Sequence, residues 1–180
     1  MKLMIASDIH GSAYYARQLL DAEAREQPDR LLLLGDLLYH GPRNDLPRDY
    51  APKQVIEMLN PLSARLLCVR GNCEAEVDQM VLSFPVLADY AWIETDGVRI
   101  FATHGHLYGE DNPPPLSKGD LLLCGHTHVP AVRSRGEWTY LNPGSVSIPK
   151  KGSAHGYMLL EDRTLCHKTL DGTLLSAHTL

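Results

Sequence analysis

Apolar residues fall along this chain in two alternating patterns. Short unbroken runs occur in KLMIASD (residues 2–8), RLLLLGD (30–36) and ARLLCVRGN (64–72). Runs of that length and composition predict strands buried on both faces. Between them, SAYYARQLLDAEAREQ (12–27) has apolar residues at helical spacing, with Ser12 placed to cap its start and Pro28 beyond its end. APKQVIEMLNPL (51–62) predicts a second helix. Buried strands separated by helices predict parallel pairing, with helices covering the sheet.

After about residue 85 the pattern becomes β-rich. YAWIETDGVRIFATHG (90–105) predicts a hairpin turning at Asp96-Gly97, and AVRSRGEWTYLN (131–142) one turning at Arg135-Gly136. DLLLCGHTH (120–128) contains another apolar strand, and residues 157–180 read as strands joined by tight turns. A helix-and-strand half followed by a strand-rich half predicts two sheets packed face to face, with helices outside. GEDNPPPLSKGD (109–120) is the longest loop-like segment, either a surface connection or a lid over a site. No repeat or linker divides the chain, and 180 residues suffice for one domain with a substantial core.

The informative polar residues stand where the apolar runs stop. The predicted strands end in Asp8-Ile9-His10, Gly35-Asp36, Gly71-Asn72, His104-Gly105-His106 and Gly125-His126-Thr127-His128. Ligands of an open α/β sheet bind at the carboxyl ends of its strands, so these groups can converge from distant sequence positions. Singly, each has a structural explanation as a turn residue, helix cap or hydrogen-bonded histidine. The conjunction points to metal. Asp8, His10, Asp36, Asn72, His104, His126 and His128 offer oxygen and imidazole donors without a thiolate pair. That mix suits Mn, Fe or Zn better than Mg or Ca, and argues against a structural zinc site. Seven donors exceed the needs of one ion with an open position and fit two ions if one carboxylate bridges. Two cations about 3.5–4 Å apart form a clamp for attack on phosphorus.

Composition narrows this further. The formal net charge of -5 gives no general basic surface for long nucleic acids, so an anionic substrate needs a local positive centre such as bound metal. The start MKLMIASDIHGS has too short an apolar run for a signal peptide, and no run approaches a membrane span. Cys68, Cys73, Cys124 and Cys166 are scattered, as expected of reduced thiols in a cytoplasm.

The motifs Asp8-Ile9-His10, Gly35-Asp36, Gly71-Asn72-Cys73, His104 and Gly125-His126-Thr127-His128 occur in the order found in the calcineurin-like metallophosphoesterases. The chain resembles that family, and its short length and NPGSVS (142–147) resemble the small bacterial phosphodiesterases within it. The resemblance implies a four-layer α/β/β/α sandwich of two mixed sheets. It implies one metal held by Asp8, His10, Asp36 and His128, and a second by Asp36, Asn72, His104 and His126, with Asp36 bridging. Mn is typical of this branch, with Zn, Fe and Ni also used. The expected reaction is phosphodiester hydrolysis by a hydroxide held between the metals.

One departure bears on catalysis. Larger members of the family carry His after the Asn, where this chain has Cys73. A thiol is a weak hydrogen-bond donor, so catalysis is expected to favour good leaving groups. His106 is the candidate substitute acid, or else supports a ligand. Arg43 and Asn44, in the loop after Asp36, and Arg70, before the Gly-Asn turn, are candidate phosphate contacts; a surface salt bridge is the plainer role for either arginine. Ser7 and Ser145 read as supporting hydroxyls. The expected partner is a small phosphodiester, with no membrane and no long nucleic acid. A homo-oligomer is compatible with the sequence. The competing reading is a binding scaffold of weak or no activity, like the small retromer subunit, which shares the Gly-Asn-Cys variation. A nuclease is a third, disfavoured by the charge.

Overall fold

The computed structural model describes residues Met1–Leu180. Alternation within each apolar run sorts its side chains between two cores. In β1 (Leu3–Ala6), Met4 and Ala6 face one core, and Leu3 and Ile5 the other. In β2 (Arg30–Leu33), Leu31 and Leu33 separate from Leu32 in the same way. Runs without polar gaps are required here because both faces of the strand are buried.

β1, β2 and β3 (Leu66–Cys68) pair in parallel. β4 (Tyr90–Thr95) and β5 (Val98–Thr103) form the hairpin expected at Asp96-Gly97. β6 (Leu121–Leu123) pairs in parallel with β5 and with β8 (Trp138–Asn142), which turns back from β7 (Ala131–Arg135). β9 (Gly156–Glu161), β10 (Thr164–Thr169) and β11 (Leu174–Thr179) are antiparallel. The sheets have the orders β11-β10-β9-β1-β2-β3 and β4-β5-β6-β8-β7. The two halves of the sequence therefore do not map onto one sheet each. β9 returns to the free edge of β1, where Met158 and Leu160 join the core between the sheets.

That shared core also contains Val98, Ile100, Leu121, Leu123 and Leu141 from the second sheet. The outer face of the first sheet carries the helices. α1 (Ala13–Glu26) starts at Ser12, whose hydroxyl accepts the Tyr15 amide at 3.3 Å, and buries Ala16, Leu19 and Ala22. α2 (Pro52–Leu59) buries Val55 and Leu59 and continues as a 3-10 turn over Asn60–Arg65. α3 (Glu76–Val81), which the pattern did not predict, leads into Leu82, Phe84 and Val86 of the same core. The outer face of the second sheet is covered by the loop after β5. Tyr108 and Leu116 pack there on Phe101, Leu122, Cys124 and Tyr140. Glu110 pairs with Arg133 and Arg135, and Asp120 with Arg99, so residues 109–120 are tied to this face. No helix is long and apolar enough to cross a membrane.

Candidate metal centre

Because β1, β2, β3, β5 and β6 all run the same way within their sheets, their carboxyl ends meet along one edge of the sandwich. The chain must turn sharply there with a donor at the turn. Asp8, His10, Asp36, His126 and His128 all have φ between 50° and 65°. For a residue other than glycine that left-handed conformation is uncommon and is held only by its surroundings. The surroundings are explicit at Asp8. Its carbonyl accepts from the Ser145 and Ser147 hydroxyls at 2.8 and 3.0 Å, so the NPGSVS segment clamps the turn from the end of β8. The glycines serve close approach. A Cβ on Gly71 would overlap the Asp36 carboxylate and amide, and one on Gly125 would overlap Ser7 and Asp8.

Imidazole orientation is fixed from behind. Nδ1 of His10, His104 and His128 meets the carbonyl oxygens of Tyr39, Leu34 and Ile148 at 2.8, 2.6 and 2.7 Å. A carbonyl only accepts, so each Nδ1 carries the proton and each Nε2 turns a lone pair inward. His10 Nε2 then stands 3.2 Å from His128 Nε2, and His128 Nε2 3.2 Å from Asp8 Oδ1. His104 Nε2 lies 3.2 Å from Asn72 Oδ1 and from His126 Nδ1. Asn72 directs its amide nitrogen to Cys73 Sγ at 3.4 Å, leaving the oxygen to face the centre. Asp36 Oδ2 sits 3.4 Å from His104 Nε2 and 3.7 Å from His10 Nε2, between the two groups.

These are acceptors facing acceptors, and Asp8 Oδ1 is buried with no donor at all. Such an arrangement needs positive charge. Protons supply part of it: burial disfavours charge on His104, yet the Asp36 and Asp8 carboxylates outweigh it and raise its pKa to about 9. His10 is also raised, its burial outweighed by Asp8. A divalent cation satisfies the same lone pairs without extra protons, and the donor set fits one. The triads Asp8–His10–His128 and Asp8–Asp36–His104 each gather ligand atoms within 4.8 Å. Cys73 Sγ is as close to His10 and Asp36, but burial and the Asp36 carboxylate hold the thiol far above its ordinary pKa, so it stays neutral.

A cleft of about 470 Å³ opens over these donors, lined by Arg43, Asn44, Cys73, Thr127 and Lys150 among others. Asn44 donates to the His40 carbonyl at 2.9 Å and so fixes the loop that presents Arg43. Arg70 departs from expectation: its Nη2 pairs with Asp89 Oδ1 at 2.7 Å, and the residue does not line the cleft. A fixed acidic partner has taken the guanidinium, the plainer role anticipated for it. His106 is half-buried beside the centre, its ring 5.4 Å from that of His104 and 6.3 Å from that of His126, and faces a neighbouring pocket. Burial, then the charges of His104 and Arg70, lower its pKa. Ser7 is wholly buried beneath Gly125, and Ser145 acts through Asp8.

Two contributors escaped the sequence reading. Lys150 reaches the cleft from the loop after β8, and nothing in its spacing set it apart from other lysines. Glu74, just past the Gly-Asn-Cys turn, accepts the backbone amides of Asp36, Leu37 and Gly71, locking the ends of β2 and β3 together. An acidic residue two positions after the Asn was the available signal.

Fold and site together define an α/β sandwich with a carboxylate–imidazole centre for divalent cations at its strand ends. The calcineurin-like phosphoesterase superfamily domain matches residues 1–164, and the chain belongs to that family. It is 48% identical to phosphodiesterase YfcE of Escherichia coli (strain K12) over 165 residues, covering 92% of this chain and 90% of the relative. The solved structure of YfcE, a phosphoesterase from E. coli, superposes with a TM-score of 0.96 at 46% identity, covering 99% of both chains. Vacuolar protein sorting 29 of Cryptosporidium parvum shares the fold at a TM-score of 0.64 and 16% identity, covering 99% of this chain and 98% of that one.

Proposed function

We propose that this chain is a metal-dependent phosphoric diester hydrolase acting on small phosphodiesters in the cytoplasm. The observation that carries the proposal is the convergence of seven donors, their lone pairs turned inward, under a cleft that also holds Arg43 and Lys150. The 48% identity to a phosphodiesterase supports it. Asp8, His10, Asp36 and His128 would hold one ion, and Asp36, Asn72, His104 and His126 a second. Mn is favoured, with Zn, Fe or Ni as alternatives. When bound, such ions activate water and stabilise charge on phosphoryl oxygens.

The rest falls to the chain. Arg43 and Lys150 offer positive charge to the phosphoryl oxygens and orient the ester. The new bond joins water oxygen to phosphorus, the bond to the leaving oxygen breaks, and the proton lost by water ends on the departing alcohol or in solvent. Cys73, a neutral and weakly donating thiol, gives that oxygen little help, so good leaving groups are preferred. His106 is the other candidate donor. A scaffold without catalysis has no observation of its own, since every donor position keeps a ligand-competent side chain.

The test uses metal-free protein on bis-p-nitrophenyl phosphate and p-nitrophenyl phosphate, with Mn, Ni, Zn or Mg restored, beside Asp36→Asn. Diesterase activity that returns with metal and is lost in Asp36→Asn is expected. No activity with any metal, or full activity in Asp36→Asn, would refute the reading.

A further inference from the structure

Next to the metal cleft lies a depression of about 510 Å³ with the opposite chemistry. Only 1 of the 11 residues lining the cleft is hydrophobic, against 8 of the 10 lining this groove. Leu38, Tyr39, Tyr50 and Ile56 line it together with Val77 and Val81 of α3. Tyr39, Val77 and Val81 are 43%, 63% and 45% exposed. An apolar depression beside a polar cleft offers a place where an apolar ligand group can leave water.

The groove is continuous with the centre. Cys73 lines both cavities, and its Sγ lies within 4.8 Å of ligand atoms of His10 and Asp36. Tyr39, through its carbonyl, also holds His10 Nδ1. A phosphodiester has two arms. Both ester oxygens sit on one phosphorus, so with the phosphoryl group over the centre Cys73 can stand beside the departing oxygen while the retained arm crosses its side chain into the groove.

We propose that this groove is a subsite for an apolar ester arm, so that the chain selects phosphodiesters carrying one alkyl or aryl group. The proposal rests on the phosphodiesterase reading above. It is tested with the full Mn-loaded chain on methyl, butyl and hexyl p-nitrophenyl phosphates, which share one leaving group. A methylene entering a well-formed apolar pocket is worth ~10-fold or more in kcat/KM. For an open groove about tenfold is expected across the whole series from methyl to hexyl. The double variant Val77→Asn, Val81→Asn alters only exposed positions, with folding checked by melting. It should reduce the hexyl-to-methyl ratio at least threefold. Equal kcat/KM along the series, or an unchanged ratio in the variant, would overturn the subsite. So would sedimentation showing a wild-type dimer that the variant dissolves, which would assign the groove to a second copy. Failure to hydrolyse the methyl ester with any metal is the distinct result that would overturn the phosphodiesterase reading, and the subsite with it.

Discussion

Glu74 offers the sharpest test of how the centre is assembled. It accepts the amides of Asp36 and Leu37 at 2.9 and 2.7 Å, and that of Gly71 as well, so one carboxylate fixes two ligand-bearing turns. Glu74→Ala strands three amide donors. Leaving a buried donor unpaired costs ~1–3 kcal/mol. Glu74 is only half-buried, so water can replace some bonds and the low end applies: about 3 kcal/mol in all. At ~2–4 °C per kcal/mol for a chain of this size, melting falls by about 6–12 °C. Glu74→Gln is more diagnostic. Its oxygen keeps some of the amides while its NH2 group meets another head-on. Burial and the Asp36 charge push the Glu74 carboxyl above its ordinary pKa, and the backbone donors pull against that. The glutamine therefore regains some stability by removing repulsion with Asp36, but the turns lose their clamp. We expect a modest fall in melting and Mn affinity weakened ~10–100-fold, as for removal of a group that orients ligands. Scanning fluorimetry on metal-free protein and calorimetric Mn titration measure the two effects. Wild-type Mn affinity in both variants would refute the reasoning.

Gly71→Ala places a Cβ against the Asp36 carboxylate and amide, so diesterase activity should fall at least ~100-fold, as expected when groups at the reacting centre shift by about 1 Å. In Cys73→His, the dependence of kcat/KM on leaving-group pKa across aryl phosphodiesters should flatten. An unchanged slope removes Cys73 from the argument. Glu26 gives a pH prediction outside the site. Burial raises its carboxyl, but Lys168 and the Tyr157 hydroxyl outweigh it and the folded-state pKa is lowered. A depressed carboxylate stabilises the fold above its unfolded pKa of ~4.3 and loses that contribution as pH falls through the folded value. The melting difference between wild type and Glu26→Gln should be present at neutral pH and vanish in strong acid. A difference that persists there would exclude the linkage.

Much of the fold could be read because local and global signals agreed. The runs around Ile5, Leu32 and Leu67 stop at donors, and the sheets bring those stops together at one edge. The unread parts lacked a local signature. β9–β11 have the same alternation whichever sheet they join, and only the free edge of β1 decides it. α3 has six residues and no buried face, too short for a period to show. Arg70 looked like a phosphate contact because its partner Asp89 belongs to a separate segment. Lys150 acts through folded geometry that spacing does not encode. The left-handed backbone at the donors was equally invisible, since Asp and His carry no mark of it in sequence.

That backbone says how the centre is held. A non-glycine residue in the left-handed region costs ~1–3 kcal/mol, and a handful of them would rival the ~5–15 kcal/mol stability of a whole domain. The compensation is in bonds that cross between turns. The amides of Asp8, His10 and Gly11 donate to the carbonyls of Gly35, Asp36 and Leu37 at 3.1, 2.8 and 2.8 Å, stitching the end of β1 to that of β2. The Gly125 amide donates to the His104 carbonyl at 2.7 Å within the second sheet, and the His126 amide joins that sheet to the first by donating to Asp8 Oδ2 at 3.1 Å. These bonds run between groups of the polypeptide itself, which holds the turns that set the donors' lone pairs against one another. The electrostatic cost of that opposition is what a bound cation relieves, so metal binding should raise stability more than it changes shape. Mn should accordingly raise the melting temperature of wild type while leaving its circular dichroism unchanged. A large change in the spectrum on adding Mn would show that metal, and not this lattice of backbone bonds, builds the site.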